Sequence, residues 1–480
     1  MIAKTEASGG SGLHPEVLAF SSSLALDKQL LREDLVGSLA HLAMLSRREI
    51  IPRPAAAEIQ RALAFLWTEA KQGELQLPDE EDLHMAVEAV LAQRLGERAG
   101  LLHSARSRND QVALDLRLHV RERAATVLDS LAAWITALCD RAESELDTLI
   151  PSYTHRQRAQ PISLAYLLCA YGAMFARDAE AFSAVLTQTN LCPLGVGAIA
   201  GTSLSTDREL PRALLGFAGL TLNGLDTVGD RDFALDYTYA AAKLLLHASR
   251  LSTDFIDFTS AEFGFAKLDG ELACGSSMMP QKRNPDVFEL VRGKSGRAVG
   301  NLVGLLVAVK GLPAGYNRDL QEDRGPLLET GALVESVLRI LQMALPRVRF
   351  DRERCRAAVE GDAMQATDLA EALVKKGLPF RSAYQVVGSL VRRCQEEKRP
   401  LGQVTLATAQ EVDPRLTADV LETLNALTSV GRKVSAGGTG PESVRAQLTQ
   451  LRDAAEQAHT RAIAVPRLEA LFQTLKEAPL

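Results

Sequence analysis

The sequence predicts an all-α protein organised around a bundle of long helices. Three observations carry this. Apolar residues recur at steps of three and four over long stretches. Prolines fall between those stretches, where a residue that costs a helix interior about 3 kcal/mol or more is tolerated. Segments of period-two alternation are nearly absent, so a substantial sheet is not expected.

Residues 1–105 read as shorter, more broken helices and form a candidate N-terminal domain. The first long helix follows. Val112, Leu116, Val120, Val127, Leu131, Trp134 and Leu138 share one face, with Arg117, Arg121, Arg123 and Asp129 on others. A second run, Ile162 to Leu186, is apolar on more than one side, as for a helix inside a bundle. Further runs span Phe233 to Phe265, Val287 to Val309 and Leu327 to Leu345. Pro161, Pro193, Pro211, Pro280, Pro285, Pro313 and Pro326 are the expected borders. These five runs define a central domain over residues 106–350. Residues 351–480 return to shorter helices and form a candidate C-terminal domain. Helices of about 25 residues span near 40 Å. Their apolar faces exceed what one short bundle buries, so an oligomer is expected. The length of 480 residues also exceeds what a single core organises.

Composition narrows the function. A net charge of −6 gives no electrostatic reason to expect nucleic acid or an anionic membrane as partner. Six scattered cysteines, with no CxxC pair and no Cys/His cluster, read as free thiols of a reducing cytoplasm. The start, residues 1–12, is Gly/Ser-rich and has no apolar core of signal-peptide length. No apolar stretch is long enough to span a membrane. A soluble, cytoplasmic protein is the expectation, with no cofactor and no metal.

Four polar segments stand out. Gly275–Asp286 holds two serines, Lys282 and Asn284 between two prolines, just before a helix start, which suits an anion. A polar loop that merely caps that helix is the alternative. His103–Gln111 sets Arg106, Ser107, Arg108 and Asn109 before the first long helix. These suit a carboxylate or phosphate, or simply an N-cap with surface arginines. Ser152–Pro161 places Thr154 and His155 among donors beside an apolar run. Histidine is the natural acid or base near neutral pH, though a lone histidine is often structural. Tyr316–Arg324 is a dense polar connector. Walker-type, dinucleotide-binding, His-Glu-x-x-His and Gly-x-Ser-x-Gly motifs are missing, so the chemistries they serve lack support.

Gly275 to Asp286 resembles the shared motif of the fumarase/aspartase superfamily, Gly-Ser-Ser-x-Met-Pro-x-Lys-x-Asn. Its extension Pro285-Asp286, Arg292 to Lys294, Arg106 to Gln111 and Tyr153 to Pro161 resemble the argininosuccinate lyase branch. So do Leu194 to Thr202, Asp207-Arg208, Asp230 to Phe233, Tyr316 to Asp323, Ala366 to Leu369 and Gly437 to Thr439. The similarity runs from about Phe20 to Gln450.

The resemblance implies a three-domain helical subunit, a homotetramer with a twenty-helix core, and active sites assembled from three subunits. It implies elimination of fumarate from argininosuccinate with release of arginine. A proton leaves the carbon beside a carboxylate, giving a doubly charged aci-carboxylate that preorganised donors must stabilise. By similarity Ser276 abstracts the proton, its pKa lowered by Lys282, amide dipoles and loop closure. His155 assists protonation of the leaving group, and the two roles can be inverted. Ser107, Arg108, Asn109, Thr154, Lys282 and Asn284 resemble contacts to the fumarate half. Ser23, Tyr316, Gln321 and Arg324 resemble contacts to the arginine half. His84 matches a supporting histidine that orients the acid.

The chain departs from the pattern at its start, where Trp-Gly-Gly-Arg-Phe is absent. It departs again at Ser21 for asparagine, Ser104-Ala105 for Thr-Gly, Gly224 and Gly229 for serines, and Arg324 for lysine. These changes motivate an alternative, a sister lyase acting on another N-substituted aspartate. An inactive structural relative of the crystallin kind is a second alternative, against which the intact His155 and Ser276 argue.

Overall fold

The computed structural model describes residues 14–275, 277–361 and 363–480. Ser276 and the Gly/Ser-rich start therefore lie outside the described residues.

The N-terminal helices are α1 (Leu31–Arg47), α2 (Arg53–Gln72) and α3 (Leu83–Leu95). Five long helices follow: α4 (Arg108–Ser144), α5 (Leu164–Thr189), α6 (Asp232–Thr259), α7 (Asp286–Val309) and α8 (Arg324–Ala344). All five predicted runs are present. Strands are short and occur only as two-stranded pairs among the described residues.

Local chemistry sets the boundaries. Ser107 opens α4 with a reciprocal capping box: its side chain accepts from Asn109 N and Asp110 returns to the Ser107 N–H. Ser163 caps α5 by accepting from Tyr166 N at 3.1 Å. The run expected from Ile162 begins at Leu164, because Gln157–Ser163 is a strand paired with Leu149–Thr154. The run expected to Phe265 stops at Thr259, and Ala266–Leu268 pairs as a strand with Val348–Phe350. Two expected border prolines differ. Pro211 and Pro326 sit in the first turns of Glu209–Leu214 and α8, where the missing N–H would be unpaired anyway.

The bundle core gathers Trp134, Phe175, Phe182, Tyr237 and Phe255, with Trp134 edge-on to Phe175 at 5.8 Å. The arginine-bearing faces of α4 are also covered. Arg117 and Arg121 are buried, so those faces are internal and not solvated. A separate apolar cluster spans Leu369 to Leu424 and includes α9 (Phe380–Glu396). The chain then returns as α10 (Pro441–Ile463), whose Val444, Leu448 and Leu451 join the bundle core. Phe472 stacks on Trp67 of α2 at 4.1 Å.

Chain direction decides where the polar segments go. Arg117, near the start of α4, pairs with Asp230 just before α6, so both helices leave the same pole. Arg141, near the end of α4, lies over the Phe350 ring at 4.8 Å. Arg156 pairs with Asp257 near the end of α6 at 3.1 Å. With 37 and 28 residues, α4 and α6 extend about 55 and 42 Å. No helix among the described residues is long and apolar enough to cross a membrane.

Candidate active site

One pole of the bundle collects a dense group of charged side chains. Ser23 donates to Asp27 Oδ2 at 2.5 Å, and Asp27 Oδ1 meets Arg324 Nε at 2.5 Å. Arg324 also lies 3.5 Å from Asp323 Oδ1 and donates to the Gln321 carbonyl at 3.3 Å. Gln321 Nε2 donates to the Ser21 carbonyl at 2.8 Å. Tyr316 is close enough to Arg324 and Arg231 for their charges to act on it, and burial raises its pKa. Arg108 pairs with Asp82 at 3.0 Å, while Asn109 donates to the Ala198 carbonyl at 3.2 Å.

His84 lies beneath this group, nearly inaccessible. Its Nε2 is 2.8 Å from Asp115 Oδ2 and 4.0 Å from Asp34, and its Nδ1 is 3.8 Å from Asp82. Burial draws its pKa down to about 4, helped by Arg108, Arg324 and Arg106 and opposed by Asp34. Burial, then the charges of Asp34 and Glu33, push Asp115 well above the carboxylate range. Gln111 Nε2 donates to Asp34 Oδ1 at 2.5 Å, and Arg106 donates to Ser38 at 2.8 Å.

The opposite pole carries the other candidates. Thr154 and His155 end and cross the hairpin Leu149–Thr154/Gln157–Ser163. Thr154 pairs with Gln157, leaving His155 and Arg156 as a two-residue turn with φ of 54° and 58°. Such a turn normally calls for Asn or Gly, so two bulkier residues are held there under strain, a feature that clusters at functional sites. Both side chains are exposed. Lys282 is also exposed, on the connection from α6 to α7, and Asn284 sits on a two-residue strand paired with Cys274.

The structure thus brings Ser23, His84, Ser107, Arg108, Asn109, Tyr316, Gln321 and Arg324 to one pole. Thr154, His155, Lys282 and Asn284 are at the other. Within one chain the two groups are separated by about the 40 Å length of α6.

Other motif residues act as clasps. Asp110 Oδ2 accepts from Gly195 N and Gly197 N at 3.0 and 2.9 Å, wrapping the Leu194–Thr202 segment around the start of α4. Arg231 pairs with Asp323 in full burial. Asp368 accepts from Ser429 at 2.7 Å, and Thr439 Oγ1 accepts from Ser163 N at 3.0 Å. Asp27, Asp34, Asp82 and Asp115 were not singled out in the sequence. Spacing gave no signal for them: at 3.6 residues per turn Asp115 lies off the stripe that Val112 and Leu116 begin.

The fold and the family comparison define a lyase: the Lyase family model matches residues 15–300. The class II fumarase of Schistosoma mansoni superposes with a TM-score of 0.71 at 18% identity, over 86% of this chain and 94% of that one. A structure of EDDS lyase in complex with formate superposes with a TM-score of 0.79 at 25% identity, over 98% of both chains. The argininosuccinate lyase C-terminal model matches residues 363–431. The argininosuccinate lyase of Bacillus mycoides (strain KBAB4) is 42% identical over 434 residues, 90% of this chain and 94% of that protein. The chain belongs to the argininosuccinate lyase family.

Proposed function

We propose that this chain eliminates fumarate from argininosuccinate, releasing arginine, and that it does so as a cytoplasmic homotetramer with active sites shared between subunits. The observation that carries the composite site is the division of the candidate residues between two poles. Residues about 40 Å apart in one chain can act on one small substrate only if another copy supplies one of the groups. The outer face of α7 supports the assembly. Phe288, Val291, Ala298 and Leu305 pack inward, while Leu290, Val299, Val303, Leu306 and Val307 remain exposed. The six unpaired thiols suit a reducing compartment.

In this reading Ser276 Oγ takes the proton from the carbon beside the carboxylate. The C–N bond breaks as the double bond of fumarate forms. His155 returns a proton to the departing guanidine nitrogen, so protons balance without a redox partner. Lys282, Asn284 and Thr154 from one pole meet Ser107, Arg108 and Asn109 from the other around the fumarate half. The guanidinium of Arg324 is already engaged by Asp27 and Asp323. It therefore acts on the arginine half by holding Ser23, through Asp27, and the Gln321 carbonyl. Gln321 itself is held by a main-chain carbonyl at Ser21, which any residue there provides. The Ser21 departure thus gives little reason to favour a different N-substituted aspartate.

Fumarate absorbance with argininosuccinate as substrate tests the reaction, with Ser276→Ala expected to abolish it. Fumarate formed from another N-succinyl amine but not from argininosuccinate would overturn the assignment. Co-refolding two inactive variants, Arg108→Ala and Lys282→Ala, tests the shared site. Random assembly restores roughly a quarter of the sites if each takes its poles from different chains. No recovery from tetramers of normal size would refute sharing.

A further inference from the structure

The residues that lead into Ser107, Arg108 and Asn109 are held by a buried stripe of α1. Asp34, Ser38 and His41 follow one another by four and three positions, so they share one face of that helix. Each grips one point of the loop and first turn at 104–111. His41 Nε2 lies 2.9 Å from the Ser104 carbonyl, Ser38 Oγ accepts from Arg106 Nη1 at 2.8 Å, and Asp34 Oδ1 accepts from Gln111 Nε2. The two helices approach closely here, since a Cβ at Gly37 of α1 would sit 2.8 Å from Leu114 Cδ2 of α4.

The residue between the first two grips is strained. Ala105 has φ of 57°, in the left-handed region where a Cβ crowds the following carbonyl. The resembling pattern has glycine at this position, which adopts such a φ freely. Alanine does not, so the surrounding structure imposes it. His41 is fully buried, and burial, with the charge of Arg106 adding to it, draws its pKa down to about 3. It is therefore neutral. A carbonyl only accepts, so the ring proton sits on Nε2 and is donated to Ser104. Nδ1 has no hydrogen-bond partner, which leaves the Ser104 bond as the polar contact His41 makes. On the other flank, Arg106 is tied to Ser38. Turning Ala105 out of its conformation would redirect the chain two residues before Ser107, the cap of α4.

We infer that His41 is a positioning residue: with Ser38 it holds Ala105 in a conformation that glycine would take unaided, and so fixes Ser107, Arg108 and Asn109. The inference rests on the reaction proposed above, in which those three meet the fumarate half. Asp34, Ser38 and His41 are themselves buried, so they act through the loop.

Steady-state kinetics of fumarate release from argininosuccinate by the full-length chain test this. His41→Leu removes the donor and should lower kcat/KM about tenfold or more, mainly through KM, because His155 lies at the other pole. His41→Gln places an amide nitrogen near the position of Nε2 and should stay within about threefold of the unsubstituted chain. The decisive variant combines His41→Leu with Ala105→Gly. Glycine needs no grip to take a φ of 57°, so it should restore most of the lost kcat/KM; a histidine that only fills the core would show no such rescue. Ser38→Ala loosens the other flank and repeats the test with Ala105→Gly if His41→Leu fails to fold. A normal KM in His41→Leu, a loss that Ala105→Gly does not recover, or a His41→Gln chain as impaired as His41→Leu would each overturn the inference. Those outcomes leave the reaction standing, whereas no fumarate from the unsubstituted chain would overturn both.

Discussion

His84→Gln separates a buried neutral imidazole from an ordinary one. In the unfolded chain this histidine takes up a proton near pH 6.5, but in the folded chain it stays neutral to about 4. The unfolded state therefore binds more protons between those values. Stability contributed by neutral His84 is complete above pH 6.5 and is lost as pH falls toward 4. At 1.36 kcal/mol per pKa unit the full loss is about 3 kcal/mol. An unfolding entropy of about 2.1 cal/mol/K per residue makes this a Tm difference of roughly 3 °C for a chain of this length. Glutamine keeps a donor near Asp115 without the titration. Asp27 and Asp115 are raised by burial and slope the opposite way, gaining stability as pH falls, but they are present in both proteins. The measurement is the difference in thermal midpoint between wild type and His84→Gln across pH 7 to about 4.5. The wild-type advantage should shrink by most of that amount as pH falls. Parallel curves would refute the assignment of a neutral, buried His84.

Three further perturbations follow from the same geometry. Arg231→Met leaves buried Asp323 with only the longer Arg324 contact at 3.5 Å, which should cost about 3 kcal/mol, and adding Asp323→Leu should recover part of the lost thermal midpoint. Val303→Glu places a charge on the exposed apolar face of α7; sedimentation velocity should show a species smaller than that of the unsubstituted chain, with helical circular dichroism intact and fumarate production lost. Gly229→Ser puts a Cβ 2.6 Å from the Gly315 carbonyl oxygen, beside Tyr316, so it should lower stability by about 1–3 kcal/mol and raise KM, although serines are common there in the resembling pattern.

Much of the fold was legible because its signal is periodic. The α4 and α5 stripes repeat over many turns, so a displaced end changes little. Ends were less legible where a short strand continues an apolar run, as at Ile162 and Phe265, because four apolar residues look alike in either state. The candidate chemistry-bearing segments stood out as polar interruptions: Ser107–Asn109, Thr154–His155 and Lys282–Asn284. Their partners were not. Asp27, Asp82 and Asp115 matter through contacts with residues up to some 300 positions away, and spacing along one chain carries no trace of that. Nor does local pattern distinguish the candidate active-site loops from clasps such as Asp110 on Gly195 and Gly197.

The two poles also differ in how they are held, and this bears on how the composite site works. At the Arg108 pole the side chains are fixed before substrate arrives: Arg108 on Asp82, Arg324 on Asp27 and Asp323, His84 on Asp115. Little ordering is left to do there, so its groups can bind a fixed charge pattern at low entropic cost. At the opposite pole His155 stands on a strained turn and Lys282 on an exposed connection, both open to water. A lysine that must lower the pKa of a serine hydroxyl does so weakly in water and strongly once water is excluded. On the composite-site reading, the rigid pole of one subunit is the surface that excludes it. Assembly then contributes to the rate itself, and a variant that only loosens the tetramer should lose kcat before it loses helix content.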